Sequence, residues 1–352
     1  MIKMYFLLLL LTGITGRLYA QERADTPTRL LRIYEDNDFM NLRGQPTDDA
    51  YTAGTRIDLF YTKKKPSRFF IDRILPTAGD SSVNVFSWGI MQLIFTPDDI
   101  GDPEYQPNDY PWSASLTAMH SLYSYNPQKK YAFQTELVFG FLGPAALGGP
   151  TQKLVHHILD FEQPQGWGHQ FRNTPLINVN FTAEKELASW GHAFEVIGGS
   201  QVSLGSMMNA ITLYPLIRIG HFSPYFNGFF SQYTGPGRQT GSAHKRKIQA
   251  YFILKPQVQL VVSNALLQGG LFTTNPNLKN PGKGDTTDPG RVVETAAPPP
   301  YHDIRRLIWS VAYGGVVSTG HFGISFTQTT ASSMMRGLYD HDVENLSIYY
   351  SW

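Results

Sequence analysis

The sequence of 352 residues contains no cysteine, which excludes disulfide scaffolds, cysteine nucleophiles and thiolate metal sites. It is also poor in charge, with 16% Asp, Glu, Lys and Arg, and its 29 basic residues are balanced by 28 acidic ones. Lys3 and Arg17 are the only charges in the first twenty residues, so the remainder carries 27 basic against 28 acidic. That balance lacks the basic surplus of a nucleic-acid binder. No window past the amino terminus holds 18 uncharged apolar residues, which excludes a transmembrane helix in the body of the chain. What is abundant is glycine (32), proline (23) and aromatic residues (13%). Such a composition suits a β-rich fold with many turns.

The amino terminus reads as a secretory signal over residues 1–20. Lys3 supplies a short positive region, Tyr5 to Thr12 an apolar stretch of about eight residues, and Leu18-Tyr19-Ala20 a small-residue cleavage site before Gln21. The apolar stretch is too short to span a bilayer, which needs roughly 20 residues. Residues 21–352 are then expected to form one exported domain.

That domain alternates with a period of two. Tyr131, Phe133, Thr135, Leu137, Phe139 and Phe141 share one face of a segment whose other face carries Gln134, Glu136 and Gly140. Residues 51–61 place Thr52, Gly54, Arg56 and Asp58 opposite Ile57 and Leu59, and residues 249–260 repeat the pattern. The chain ends with Leu346, Ile348, Tyr350 and Trp352 on one face. Strands of about ten residues, apolar on one side and mixed on the other, are what a transmembrane antiparallel β-barrel requires, because only closure satisfies the backbone in lipid without helices. Patterned runs fall near 29–36, 51–63, 82–95, 112–125, 130–142, 173–186, 191–204, 208–221, 247–261, 303–318, 320–330 and 343–352. An all-β barrel of about 12 strands follows, an even number as termini on one side demand. Asn126-Pro127 and Ala188 to Gly191 read as tight turns at one end. Segments 37–50, 96–111, 143–172 and 264–302 are loops at the other, with 275–302 expected to be mobile.

Three loop-end segments carry possible chemistry. Tyr34-Glu35-Asp36-Asn37-Asp38 ends the first strand with consecutive side-chain oxygens that suit a hard cation, though not in EF-hand spacing. Asp48-Asp49-Ala50-Tyr51-Thr52 enters the second strand, and alternation assigns Thr52 to the lumen with Arg56 and Asp58. A hairpin of the two strands would bring Asn37, Asp38 and Thr52 to one rim. In the third segment, Gly143 to Pro150 stops a strand and the following run becomes helical, with Thr151 a plausible N-cap and Pro164 a stop. Leu154, Val155, Ile158 and Leu159 form an apolar stripe, while Gln152, His156 and Asp160 share another face. A histidine between a carboxamide and a carboxylate can act as a general base near neutral pH.

Taken together, Glu35 to Phe39, Asp49 to Gly54, Gly143 to Gly148, Gln152, His156 and Gly166-Trp167 resemble, in order and spacing, the lipid A 3'-O-deacylase family of Gram-negative outer membranes. The resemblance implies a twelve-stranded barrel in the outer membrane, a short helix in an extracellular loop, and a site between that helix and the wall, facing the outer leaflet. It implies Ca²⁺-dependent hydrolysis of the 3'-linked acyloxyacyl ester of lipid A, with lipopolysaccharide as substrate; a monomer is the default expectation, which the sequence does not derive. His156 matches the family's general base, and Asn37, Asp38, Thr52 and Gln152 match its site positions. Glu162 matches a site carboxylate, with Asn37, Asp38 and Glu162 the implied metal ligands. On a straight helix Glu162 lies roughly 120° from His156, whereas Asp160 shares its face, so both remain candidates. Ala50 stands where many members carry a basic residue.

Two other functions fit such a barrel. One is a porin or channel, which would leave these motifs as loop residues. The other is a different outer-membrane lipid esterase, although no Ser stands in a GxSxG context.

Overall fold

Successive side chains of a strand point to opposite faces, and this chain uses that period to build a wall with an apolar outside and a polar inside. The computed structural model describes residues 27–38, 50–234, 248–270 and 303–352. The proposed signal segment, Asp48-Asp49 and the 275–302 loop lie outside the described residues. Twelve strands follow one another: β1 (Arg29–Asn37), β2 (Ala50–Thr62), β3 (Val83–Thr96), β4 (Ser113–Asn126), β5 (Tyr131–Leu142) and β6 (Thr174–Trp190), then β7 (Phe194–Gly205), β8 (Met208–His221), β9 (Ile248–Asn264), β10 (Leu307–Thr319), β11 (Phe322–Ala331) and β12 (His341–Ser351). Each pairs antiparallel with its neighbours, and β1 pairs with β12 from Leu30↔Ser351 to Asn37↔Glu344, closing the barrel. The twelve segments expected from alternation correspond one to one with these strands.

The outer wall exposes Ile57, Leu59, Trp88, Ile90, Phe139 and Phe141, among other large apolar side chains. A soluble protein would bury these, whereas a wall facing acyl chains requires them. Among the described residues no helix is long and apolar enough to cross a membrane. The inner face is stitched by ions. Arg32 binds Asp58 at 2.6 Å, Arg56 binds the same carboxylate at 2.9 Å, and Arg56 reaches Glu136 at 2.6 Å. Gly89 makes room for this network, since a Cβ there would lie 2.4 Å from the Asp58 carboxylate.

Two connections at the end carrying the chain termini are long, where tight turns dominate elsewhere. Residues 63–82 include a short helix, α1 (Phe70–Ile74). The chain after β8 folds back into the lumen, where Phe229 packs on Phe60 and Tyr123 and Tyr233 stacks on Tyr349 at 4.7 Å. A buried pair holds the base of this stopper. Arg218 donates to Glu195 at 3.2 Å and to the Ser223 carbonyl, and Glu195 also accepts from the Tyr225 N–H at 2.7 Å. At the opposite end Tyr110, Phe171, Leu266, Leu267, Ile304 and Met335 form a second apolar cluster over the lumen. Among the described residues, packed side chains therefore occupy the interior toward both ends.

Removing one member of a buried ion pair strands the other, at a cost of about 3–5 kcal/mol. Arg218→Ala is expected to lower the thermal unfolding midpoint and to release the stopper. In planar bilayers the parent chain should show little conductance and the variant more. Equal conductance in both would refute the stopper's role.

Candidate active site between the barrel wall and a loop helix

The 143–173 loop begins with Gly143 at φ 100°, turns through Pro144–Ala146, and enters a helix, α2 (Gly148–Leu159). The helix starts three residues before the expected Thr151 cap, because its first turn is fixed by packing and not by a side-chain cap. Gly148 and Gly149 lie flat against Trp167 and Ala114, and a Cβ on Gly148 would meet the Ala114 methyl at 2.4 Å and the Trp167 ring at 2.7 Å. Pro150 falls within the first turn, where its missing N–H costs nothing.

The helix is turned opposite to a soluble amphipathic helix. The helix lies against β3 and β4 with Gln152 and His156 buried, His156 to 3% exposure, while Leu154 and Ile158 are 60% and 64% exposed. Beneath it lies an apolar patch on the outside of the wall, made of Ile94, Ile100, Trp112, Ala114, Ala146 and Trp167, with Ala53 and Leu116 beside them. Gln92 of the outer wall donates to the Ala146 carbonyl at 2.6 Å.

His156 is oriented from behind. Its Nδ1–H donates to the Glu162 main-chain carbonyl at 2.5 Å, which leaves the lone pair of the neutral ring on Nε2. The chain reaches that position because α2 ends at Leu159. Asp160 adopts a left-handed conformation at φ 61°, and the Phe161 N–H donates to the His156 carbonyl at 2.9 Å. Glu162 thus meets His156 through its backbone, while its exposed carboxylate lies beside Gly101 in the loop after β3. Asp160 is exposed at the helix end.

Gln152 is fixed as well. Trp167 Nε1–H can only donate, so the oxygen it meets at 2.8 Å is Gln152 Oε1 and the amide orientation is set. The Gln152 –NH2 is buried with no hydrogen-bond partner among the described residues. Trp167 in turn packs on Trp112 at 5.1 Å, with Gly166 flat against the Trp112 indole.

Thr52 does not follow alternation into the lumen. The register of β2 against β3 shifts between Tyr51 and Ala53, which leaves Thr52 as the extra residue, and its hydroxyl meets the Thr96 hydroxyl at 2.6 Å. Thr96 is on the outward-facing set of β3 with Ile94, so the bulge directs Thr52 outward, toward the patch under α2. Tyr51 is turned inward instead, where it and Tyr34 both donate to Asp36 Oδ2 at 2.9 and 2.5 Å. Asn345 adds a bond to Asp36 Oδ1 at 3.0 Å. Asn37 pairs across from Ala53 at the end of β1, and the following Asp38 is buried. Asn37 and Thr52 therefore flank Ala53 at the edge of the patch that Gln152 and His156 cover. Sequence spacing did not single out Thr96 or Trp112, and an isolated Thr or Trp at a strand end carries no signal for them.

Oxygen donors from Asn37, Asp38 and Thr52 suit a hard cation. Among the described residues no three His, Asp or Glu side chains cluster as a metal cage.

The family model of outer membrane protein LpxR matches residues 5–352. The chain is similar to the solved structure of LpxR from Salmonella typhimurium, with a TM-score of 0.65 and 19% identity over 92% of this chain and 100% of that one. The β domain of the Bordetella autotransporter BrkA is more distant, with a TM-score of 0.43 and 8% identity over 93% of this chain and 100% of that one. No curated protein matches the chain.

The closeness of α2 to the wall can be tested without an assay of activity. Gly148→Ala forces its methyl into Ala114 and Trp167, an overpacking cost of about 1–3 kcal/mol. Tryptophan fluorescence and near-UV dichroism are expected to change while heat-modifiable gel migration persists. An unchanged spectrum would mean that the helix does not rest on Trp167.

Proposed function

The chain belongs to the family of outer membrane protein LpxR, a family of lipid A 3'-O-deacylases, and from that membership we propose that it hydrolyses the 3'-linked acyloxyacyl ester of lipid A with His156 as general base and Ca²⁺ as cofactor. The observation that carries the reading is the inverted helix α2. It buries Gln152 and His156 against the outside of the wall and turns Leu154 and Ile158 outward. A soluble substrate would have no use for such an arrangement. An amphiphile moving within the leaflet can bring its ester under the polar face while its acyl chains stay in apolar surroundings.

The reaction is a direct hydrolysis. Nε2 of His156 accepts a proton from water, and the resulting hydroxide attacks the ester carbonyl carbon. The Nδ1 bond to the Glu162 carbonyl holds the tautomer and stabilises the imidazolium that forms. Negative charge gathers on the carbonyl oxygen, and a donor placed there in advance stabilises it. The buried –NH2 of Gln152, with its amide orientation fixed by Trp167, is the donor suited to that role. The tetrahedral adduct collapses with cleavage of the bond to the sugar oxygen, which takes back the proton held by His156. A fatty acid and a free sugar hydroxyl result.

Asn37 and the buried Asp38 would hold the cation, with the Thr52 hydroxyl close by in the chain fold. When bound there, Ca²⁺ would supply positive charge near the ester carbonyl. The exposed carboxylate of Glu162 would join these ligands only by turning from Gly101. The loop end faces outward in this reading, with both termini in the periplasm, and the filled lumen argues against the channel alternative.

His156→Ala is expected to lower lipid A deacylation by about 10²–10⁴-fold, the usual contribution of a general base, with the barrel still heat-modifiable. Mass spectrometry of lipid A incubated with refolded protein reads this directly, and retained activity would remove the assignment. In the same assay a calcium-selective chelator should stop the loss of the acyloxyacyl unit and added Ca²⁺ should restore it. Activity indifferent to both would remove the cation from the mechanism.

A further inference from the structure

The segment after β2 reads Lys63-Lys64-Lys65-Pro66-Ser67-Arg68-Phe69-Phe70-Ile71-Asp72-Arg73-Ile74, with five basic residues against one acid. It lies at the end of the barrel opposite α2 and plays no part in the chemistry above. It does not hang from the rim but folds back over the outside of the wall. Ala78 is pinned there by Ser124 and Tyr131, with bonds of 2.8 Å each. Phe69 packs edge-on against His120, which itself lies against Trp88 at 4.4 Å. Trp88 belongs to the exposed apolar belt of the wall.

The buried polar group of α1, Asp72, is spent on attachment. Asp72 is buried and accepts from Lys63 at 2.7 Å, from Ser67 at 2.5 Å and from His120 at 2.7 Å. Burial by itself would raise the Asp72 carboxyl, but these three hydrogen bonds outweigh it and hold it below its ordinary value. His120 would otherwise be a polar ring on a lipid-facing wall, and its other nitrogen meets the Ser87 carbonyl at 2.9 Å. With Asp72 facing the wall, the apolar side of the helix faces away from it. Phe70 is 67% and Ile74 74% exposed, with Lys64, Lys65, Arg68 and Arg73 exposed around them.

Large apolar side chains ringed by basic ones, continuous with a lipid-facing belt, describe a segment that sits at a bilayer interface. We infer that residues 63–74 form an interfacial anchor that binds the anionic headgroups of glycerophospholipids in the leaflet at the terminal end of the barrel. Phe70 and Ile74 enter the acyl boundary, and Lys64, Lys65 and Arg68 take the phosphates. With both termini in the periplasm this is the inner leaflet, the one opposite the deacylase substrate. The barrel would then be seated vertically by two different lipids, one at each rim.

The absence of native cysteine makes the test direct. Ile74→Cys, labelled with a polarity-sensitive fluorophore and reconstituted as the full chain, should be quenched by brominated phospholipid in phosphatidylethanolamine vesicles. Native mass spectrometry in detergent should show the parent chain retaining phosphatidylglycerol over phosphatidylcholine by about tenfold or more, given the attraction of each basic residue to an anionic surface. The K64E/K65E/R68E variant, whose substitutions touch neither Asp72 nor the wall, should lose that preference and remain heat-modifiable. Its lipid A deacylation should match the parent's, so failure of the anchor and failure of the enzymatic reading can be told apart. A label that iodide quenches from water and brominated lipid does not would overturn the anchor. So would a phosphatidylglycerol preference that is absent in the parent or unchanged by charge reversal.

Discussion

Closure of the β1–β12 edge is the constraint on which the rest depends. In lipid an unpaired strand edge strands a row of N–H and C=O groups that water cannot reach. The ladder from Leu30↔Ser351 to Asn37↔Glu344 removes that edge. It also brings the two ends of the chain together, so that Asn345 of the last strand reaches Asp36 of the first. The β1–β2 hairpin sets Asn37 across from Ala53, beside Thr52, and closure adds the last strand to that rim, with Asn37 opposite Glu344.

A closed, apolar-walled cylinder changes where a site can be built. Among the described residues, the lumen holds ion pairs in its middle, an aromatic cluster toward the terminal end and a mixed apolar cluster toward the other. The outer wall is the surface a lipid can reach, and α2 covers part of it by lying against β3 and β4 with Gln152 and His156 buried. The glycines at its start permit backbone to approach Trp167 closely, and Trp167 then orients Gln152. His156 is oriented from the other side by a main-chain carbonyl. Both candidate side chains are thereby held by groups whose hydrogen-bonding sense is unambiguous, an indole N–H and a peptide C=O.

Much of the architecture was legible in the alternation. All twelve strands, the loop helix and the polar face carrying Gln152 and His156 follow from side-chain spacing. The terminal Tyr350 and Trp352, stacked at 5.6 Å, sit on the face expected of them. The departures are specific. Thr52 leaves the lumen because of an extra residue in β2, α2 begins before its expected cap, and Glu162 faces His156 with its carbonyl and not its carboxylate. The long 63–82 and 222–247 connections at the terminal end were not distinguished from turns.

The sequence by itself determined the strand count, the two-sided wall and the identity of the groups available for chemistry. Side-chain direction along a strand or helix is a local property of the backbone, repeated residue by residue, and survives in a list of letters. The tertiary structure alone decided which face Thr52 takes, which atom of Glu162 meets His156, and where the chain after β8 and the basic segment after β2 come to rest. A bulge is registered only against the neighbouring strand, and a helix starts early only where a ring such as Trp167 lies against its glycines. Those partners are far away in sequence, and their geometry has no local period to reveal it.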